Sequence, residues 1–106
     1  MPSSFIRYEV LLPVKRNDGR EVEEIKHRVC FNEAPEHFGG ATLEPQMLLG
    51  RWFHRGKAFE EPMIRLVVEV DDAPESHAWF VTWKQTLIER FEQLDIRITW
   101  HQINVV

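Results

Sequence analysis

The side chains able to do chemistry in this chain are five histidines, one cysteine, and arginines interleaved with carboxylates. His27, His37, His54, His77 and His101 are scattered. No two stand at i, i+4 on a convincing helix and no His-Glu-x-x-His run occurs, so the zinc-protease pattern is missing. A structural zinc site draws on several thiolates, and Cys30 stands alone; no metal or other cofactor is expected. Cys30 would be a nucleophile only with a base beside it and a lowered pKa. His27, three residues earlier, would meet it on a helix, yet a lone thiol is more often a buried apolar side chain. Asp71-Asp72 resembles an acidic metal pair but stands where a helix needs its N-cap. Gly39-Gly40 lacks the spacing and the Lys-Ser/Thr of a phosphate loop. No catalytic residue is assigned.

The arginines gain meaning only through the elements that carry them. Phe5 to Val14 alternates as a strand, with Ile6, Tyr8, Val10, Leu12 and Val14 on one face and Arg7 and Glu9 on the other. Pro13 ends its regular pairing, and Asn17-Asp18-Gly19 supplies a turn. Arg20 to Phe31 reads as a helix on the stripe Val22, Ile25, Val29, with a hairpin through Asp18-Gly19 as the rival. Pro35 then opens a further helical turn capped by Asn32, with Gly39 as its stop. Gly40–Glu44 and Met47–Phe53 are extended pieces, and Arg55-Gly56-Lys57 is a turn. Pro62 to Asp71 is a strand with Ile64, Leu66, Val68 and Val70 facing one way. A helix runs from Pro74 to about Gln93, burying Phe80, Trp83, Leu87, Phe91 and Leu94. Trp79 lies at its margin. Asp95 to Val106 is the last strand; Ile96, Ile98 and Trp100 share its core face, and the apolar phase switches after His101, which predicts a bulge or a new neighbour. The order is β-α-β-β-α-β, so the expected fold is α+β and ferredoxin-like: one domain over residues 1–106, an antiparallel sheet with two helices on one face.

The opposite sheet face then carries Arg7, Glu9, Arg65, Glu69, Arg97, Thr99 and His101, with Phe5, Leu11, Met63 and Val67 among them. Three readings fit: a solvated face of cross-strand ion pairs, a face where two copies meet, or a pocket in which Arg7, Arg65 and Arg97 hold an anion. Trp52, among Arg51, His54, Arg55 and Lys57, is either an exposed anchor for a ligand or partner or a lid on the sheet edge. The expected binding residues are Arg7, Arg65, Arg97, His101 and Trp52.

Composition narrows the class. The 106 residues carry 13 Lys and Arg against 17 Asp and Glu, a net charge of −4 that disfavours nucleic acid as partner. The 43% apolar content supports a packed core. One cysteine permits no internal disulfide. No run approaches the length of a membrane span, and Met1-Pro2-Ser3-Ser4 does not open like a signal peptide; a cytoplasmic protein is expected.

Leu12-Pro13, the Asp18-Gly19 turn, Phe38-Gly39-Gly40-Ala41-Thr42, Gly50-Arg51-Trp52, a Trp-rich helix and its end at Phe91-Glu92-Gln93 together resemble a group of small uncharacterised bacterial proteins. Those share a Phe-Gly-Gly-x-Thr motif, a later Gly-x-Trp and a final helix ending in Phe-x-Gln. The resemblance covers most of the chain. It implies a ferredoxin-like fold and brings no established activity and no catalytic residue. The chain departs from the group between Val29 and Pro35, where similar proteins carry an unbroken helix. The function expected is a homodimer that binds a partner or small anionic ligand without catalysis. The alternative is a small enzyme with an anion pocket at the dimer interface and His101 as acid/base.

Overall fold

The computed structural model describes residues 3–106, and readings at Met1 and Pro2 lie outside the described residues. In chain order the elements are β1 (Ser3–Pro13), α1 (Glu24–Phe38), β2 (Thr42–His54), β3 (Lys57–Asp71), α2 (Pro74–Phe91) and β4 (Ile98–Val105). The strands form an antiparallel sheet in the order β2-β3-β1-β4. This is the ferredoxin-like βαββαβ layout that the periodicity predicts.

The alternation of β1 and β3 places one face against the helices. Tyr8, Val10 and Leu12 pack with Ile64, Leu66, Val68 and Val70, under Cys30 and Ala34 of α1 and Phe80, Trp83, Leu87 and Phe91 of α2. Tyr8 stacks on Phe80 with ring centroids 3.8 Å apart. Phe38 of α1 lies parallel to Phe80 at 5.4 Å and edge-on to Trp79 at 5.0 Å, so the two helices meet over the same sheet face.

Several local expectations are corrected. The stripe Val22, Ile25, Val29 is not the buried face of α1: Ile25 is 61% exposed and Val29 is exposed too. The Asp18-Gly19 turn folds the chain back on itself, with Gly19 at φ 87°, Lys15 bridging Glu21 and Val22 N–H donating to the Val14 carbonyl at 2.8 Å. This small hairpin takes up the chain to Val22, and the helix begins only at Glu24. Cys30 and Ala34 face inward. Pro35 sits inside α1, which runs unbroken through Asn32. It removes one backbone bond, yet α1 continues to Phe38. Gly39 ends it as expected, at φ 95°, donating its N–H to the Pro35 carbonyl at 2.7 Å. Nothing blocks a methyl group there, so Gly39→Ala should cost about 1 kcal/mol through backbone strain alone, measured as a lower midpoint in urea.

Helix α2 is capped at Ala73 without a side-chain bond, with Pro74 in its first turn; Asp71 ends β3 and neither aspartate caps. Because Glu92 turns left-handed at φ 52°, α2 stops at Phe91 and Leu94 is left 97% exposed instead of extending the buried stripe. The two pieces between Gly40 and Phe53 are one strand, β2, with a register shift between Glu44 and Leu48 that absorbs Pro45. β4 has no bulge: its pairing with β1 runs unbroken from Val10↔Ile98 to Ser3↔Val105. The change of apolar phase instead puts Ile103 beside Phe5, on the face away from the helices.

The hairpin of β2 and β3 outruns the rest of the sheet. β1 pairs with β3 no further than Pro13↔Met63, whereas β2 and β3 continue from Leu49↔Pro62 to His54↔Lys57. Arg55 (φ 51°) and Gly56 (φ 77°) close it with two left-handed residues, the geometry of a two-residue hairpin turn. The result is a two-stranded ribbon projecting from the sheet, in a molecule that measures 49 × 29 × 25 Å overall.

Candidate functional site

On the helix-free face the register sorts the expected binding residues by level. Glu69, Arg7 and His101 lie side by side across β3, β1 and β4; Val67, Glu9 and Thr99 form the next row. In the row after that, Arg65 and Arg97 flank Leu11, whose N–H donates to the Arg97 carbonyl at 3.1 Å. Arg7 and Arg65 are thus four residues apart along the sheet, about 13 Å. Arg7 Nε lies 3.4 Å from Glu9 and its Nη1 4.0 Å from Glu69. Arg65 Nη1 donates to Glu44 at 3.1 Å, while its Nε is buried with no partner. The three arginines do not converge as a clamp: Arg7 and Arg65 have carboxylates beside them, whereas Arg97 has no ion pair among the described residues. Val67 is 4% exposed despite lying on this face, flanked across the ladder by Glu9 and Thr42.

Arg97 and Trp52 meet elsewhere. A groove of about 740 Å³ opens between the ribbon and the loop from α2 to β4. Leu11, Met63 and Gly50 contribute to its floor, Trp52, Phe59 and Glu61 to the ribbon wall, and Arg97 and Asp95 to the opposite wall, with Lys15 and Arg16 at one end. The ribbon positions its wall by period two: Trp52 pairs with Phe59 and Gly50 with Glu61, all on the helix-free face. The Trp52 and Phe59 rings stack at 6.1 Å, and Trp52 stays 44% exposed. Gly50 has a positional reason, since a side chain there would start 2.8 Å from the Met63 methyl.

The charges of the groove are unevenly committed. Arg16 holds Glu23 and Glu92, Arg51 holds Glu60, and Asp95 accepts from Lys84 at 3.0 Å. Lys15 and Arg97 keep no carboxylate partner among the described residues. Burial pushes the Glu61 carboxyl up from its ordinary value. The arrangement can take a flat apolar body on Trp52 and Phe59 and a negative group at the Lys15–Arg97 end. Phe59, Glu61 and Lys15 were missed in the sequence; running the alternation of β3 backward from Met63 would have found the first two.

Other polar clusters serve the fold. Glu33 receives Arg90 Nη2 at 2.9 Å and Trp83 Nε1 at 3.1 Å, and Arg90 Nη1 also reaches Cys30 Sγ at 3.2 Å. The hydrogen bonds from Arg90, joined by that from Trp83, hold the Glu33 carboxyl below its ordinary value. Burial pushes the Cys30 thiol up. His27 donates Nε2 to the Pro13 carbonyl at 2.8 Å and is not the thiol's base. Trp100 faces the helix side, where it packs on Tyr8 and His77, yet it remains 54% exposed and is not core. His77 Nδ1 lies 3.1 Å from the Tyr8 hydroxyl. A smaller hollow of about 400 Å³ between the helices is lined by Glu33, His37, Trp79 and Trp83. Among the described residues no group of three His, Cys, Asp or Glu could hold a metal ion, and no helix is long and apolar enough to cross a membrane.

Comparison with protein families, with curated proteins and with solved structures finds no match for this chain.

Proposed function

We propose that the chain is a self-associating domain that holds a small aromatic anion, without catalysis, in the groove beside its ribbon. The observation that carries this reading is Trp52 stacked on Phe59 over an apolar floor, across from an arginine with no carboxylate of its own. Such a site offers a ring-binding face, worth about 1 kcal/mol beyond area burial, and a charge-assisted contact at one end, worth about 2 kcal/mol. Glu61, on the ribbon wall with the two rings, disfavours a negative group on that side, so the ligand is oriented with its charge toward Arg97. Self-association is supported by the outer strand β4, whose Trp100 and Val105 side chains are left exposed. The enzymatic alternative has less behind it: His101 stands in the row of Arg7, away from the residues lining the groove.

Titration with anilinonaphthalene sulfonate, an aromatic anion, tests the groove. Trp52→Ala and Arg97→Met should each weaken binding about tenfold, while Arg7→Met leaves it unchanged. Equal affinity for all three proteins would refute the site. Native mass spectrometry tests self-association: a mass of one chain at micromolar concentration refutes it.

A further inference from the structure

The sheet has two outer edges, and they are built differently. β2 is interrupted where a partner strand would pair: Pro45 lacks an N–H, the register shifts between Glu44 and Leu48, and Glu44 and Arg51 bring charge. These are the ordinary means by which an edge resists a second strand. β4 has none of them. Ile98-Thr99-Trp100-His101-Gln102-Ile103-Asn104-Val105 contains no Lys, Arg, Asp, Glu or Pro, is rich in strand-forming side chains, and runs in unbroken register against β1. Among the described residues no strand lies on its outer side.

The register also says which backbone groups point outward. The Leu11 N–H to Arg97 carbonyl bond makes that pair a hydrogen-bonded one. By antiparallel alternation Thr99, His101, Ile103 and Val105 spend their backbone groups on β1. Ile98, Trp100, Gln102 and Asn104 therefore present N–H and C=O to the outside. These four are spaced so that the strand is complementary to itself. With a two-fold axis perpendicular to the sheet at His101, Ile98 faces Asn104 of a second copy and Trp100 faces its Gln102, and reciprocally, so all four outward residues of each copy are paired. Moving the axis by one residue to either side leaves at least one of the four without a partner.

We propose that β4 pairs with β4 of a second copy in this register, joining two four-stranded sheets into one antiparallel sheet of eight strands. The inference rests on the self-association proposed above and names its surface. It covers the half-exposed Trp100 ring with Gln102 of the other copy. It keeps all helices on one side, and it leaves the groove and ribbon of each copy open at the far ends. The two His101 side chains stand opposite each other at the axis, as a non-hydrogen-bonded pair.

Cross-linking reads the register directly. Opposed side chains at such a pair are close enough for a disulfide, and the native Cys30 is buried and does not compete. His101→Cys should give a covalent dimer on mild oxidation, as denaturing electrophoresis without reductant shows. Thr99→Cys should not, because two copies of Thr99 lie about 13 Å apart along the strands. Gln102→Pro is the second variant. It removes only an outward N–H, which an edge strand tolerates, so it should keep the native circular dichroism while raising the dimer dissociation constant at least about tenfold. A wild type that is dimeric by native mass spectrometry, with His101→Cys uncross-linked and Gln102→Pro still fully dimeric, overturns the edge pairing and leaves self-association standing on another surface. A monomeric wild type overturns both.

Discussion

Replacing Phe91 by alanine is expected to destabilise the domain by about 4 kcal/mol, within the range for emptying a buried aromatic position. Phe91 is 1% exposed. It is the last residue of α2, and its ring lies parallel to His27 of α1 at 5.7 Å. His27 in turn donates to the carbonyl of Pro13 at the end of β1. One side chain therefore joins three elements at the level where the groove begins, and collapse around the cavity is limited because the left-handed Glu92 fixes the exit of the helix. A domain of this size holds about 5–10 kcal/mol of stability in total. The variant should unfold at a midpoint lowered by roughly 20 °C, since each kcal/mol moves a small domain by several degrees. Thermal unfolding followed at the tryptophans measures this. A midpoint within a few degrees of wild type would mean that the corner repacks freely.

The second large effect is expected at Arg90. Its side chain is 17% exposed and that of Glu33 33%, and the two share a bidentate contact joined by Trp83 and Cys30. Arg90→Met preserves the apolar stem and removes the charge. Glu33 is then left half-buried with only the indole N–H of Trp83. A fully buried pair broken this way costs about 3–5 kcal/mol; partial exposure and screening bring the expectation to about 2 kcal/mol. The pH dependence distinguishes this from a packing loss. The Glu33 carboxyl is held below its ordinary 4.5, so its contribution is full above that value and fades as pH falls through the lowered pKa. The difference between wild type and Arg90→Met should accordingly be largest near neutral pH and shrink toward about pH 3. Urea denaturation at the two values checks it; a difference independent of pH would assign the loss to packing.

Much of this architecture is legible in the residues because burial on one side of an element imposes a period. Ile6-Tyr8-Val10-Leu12 and Ile64-Leu66-Val68-Val70 declare two strands and their inward faces, Phe80-Trp83-Leu87-Phe91 declares a helix, and the outward list of Arg7, Arg65, Arg97 and His101 follows by subtraction. The first helix was less legible. Its inward residues, Cys30 and Ala34, are small, so the larger Ile25 and Val29 on its exposed side dominate the pattern. The ribbon was legible only in part, because residues that face solvent on both sides carry no alternation to read.

The candidate site divides along the same line. Local sequence determined that Arg97 would be outward, that Trp52 would stand among charges and that Arg55-Gly56 would turn. Which of the arginines lack a partner depended on residues far away in the chain: Glu44 reaches Arg65 across β2 and β3, Glu69 approaches Arg7 across β3 and β1, and no carboxylate among the described residues pairs with Arg97. The meeting of Trp52 with Arg97 depended on β2 and β3 outrunning β1, so that the ribbon stands opposite the loop leading into β4. The alternation of a strand is a property of neighbours in sequence and needs only one buried face to appear. The length to which strands pair, and the partner each charge finds, are set by contacts between distant segments, and those exist only once the sheet has closed.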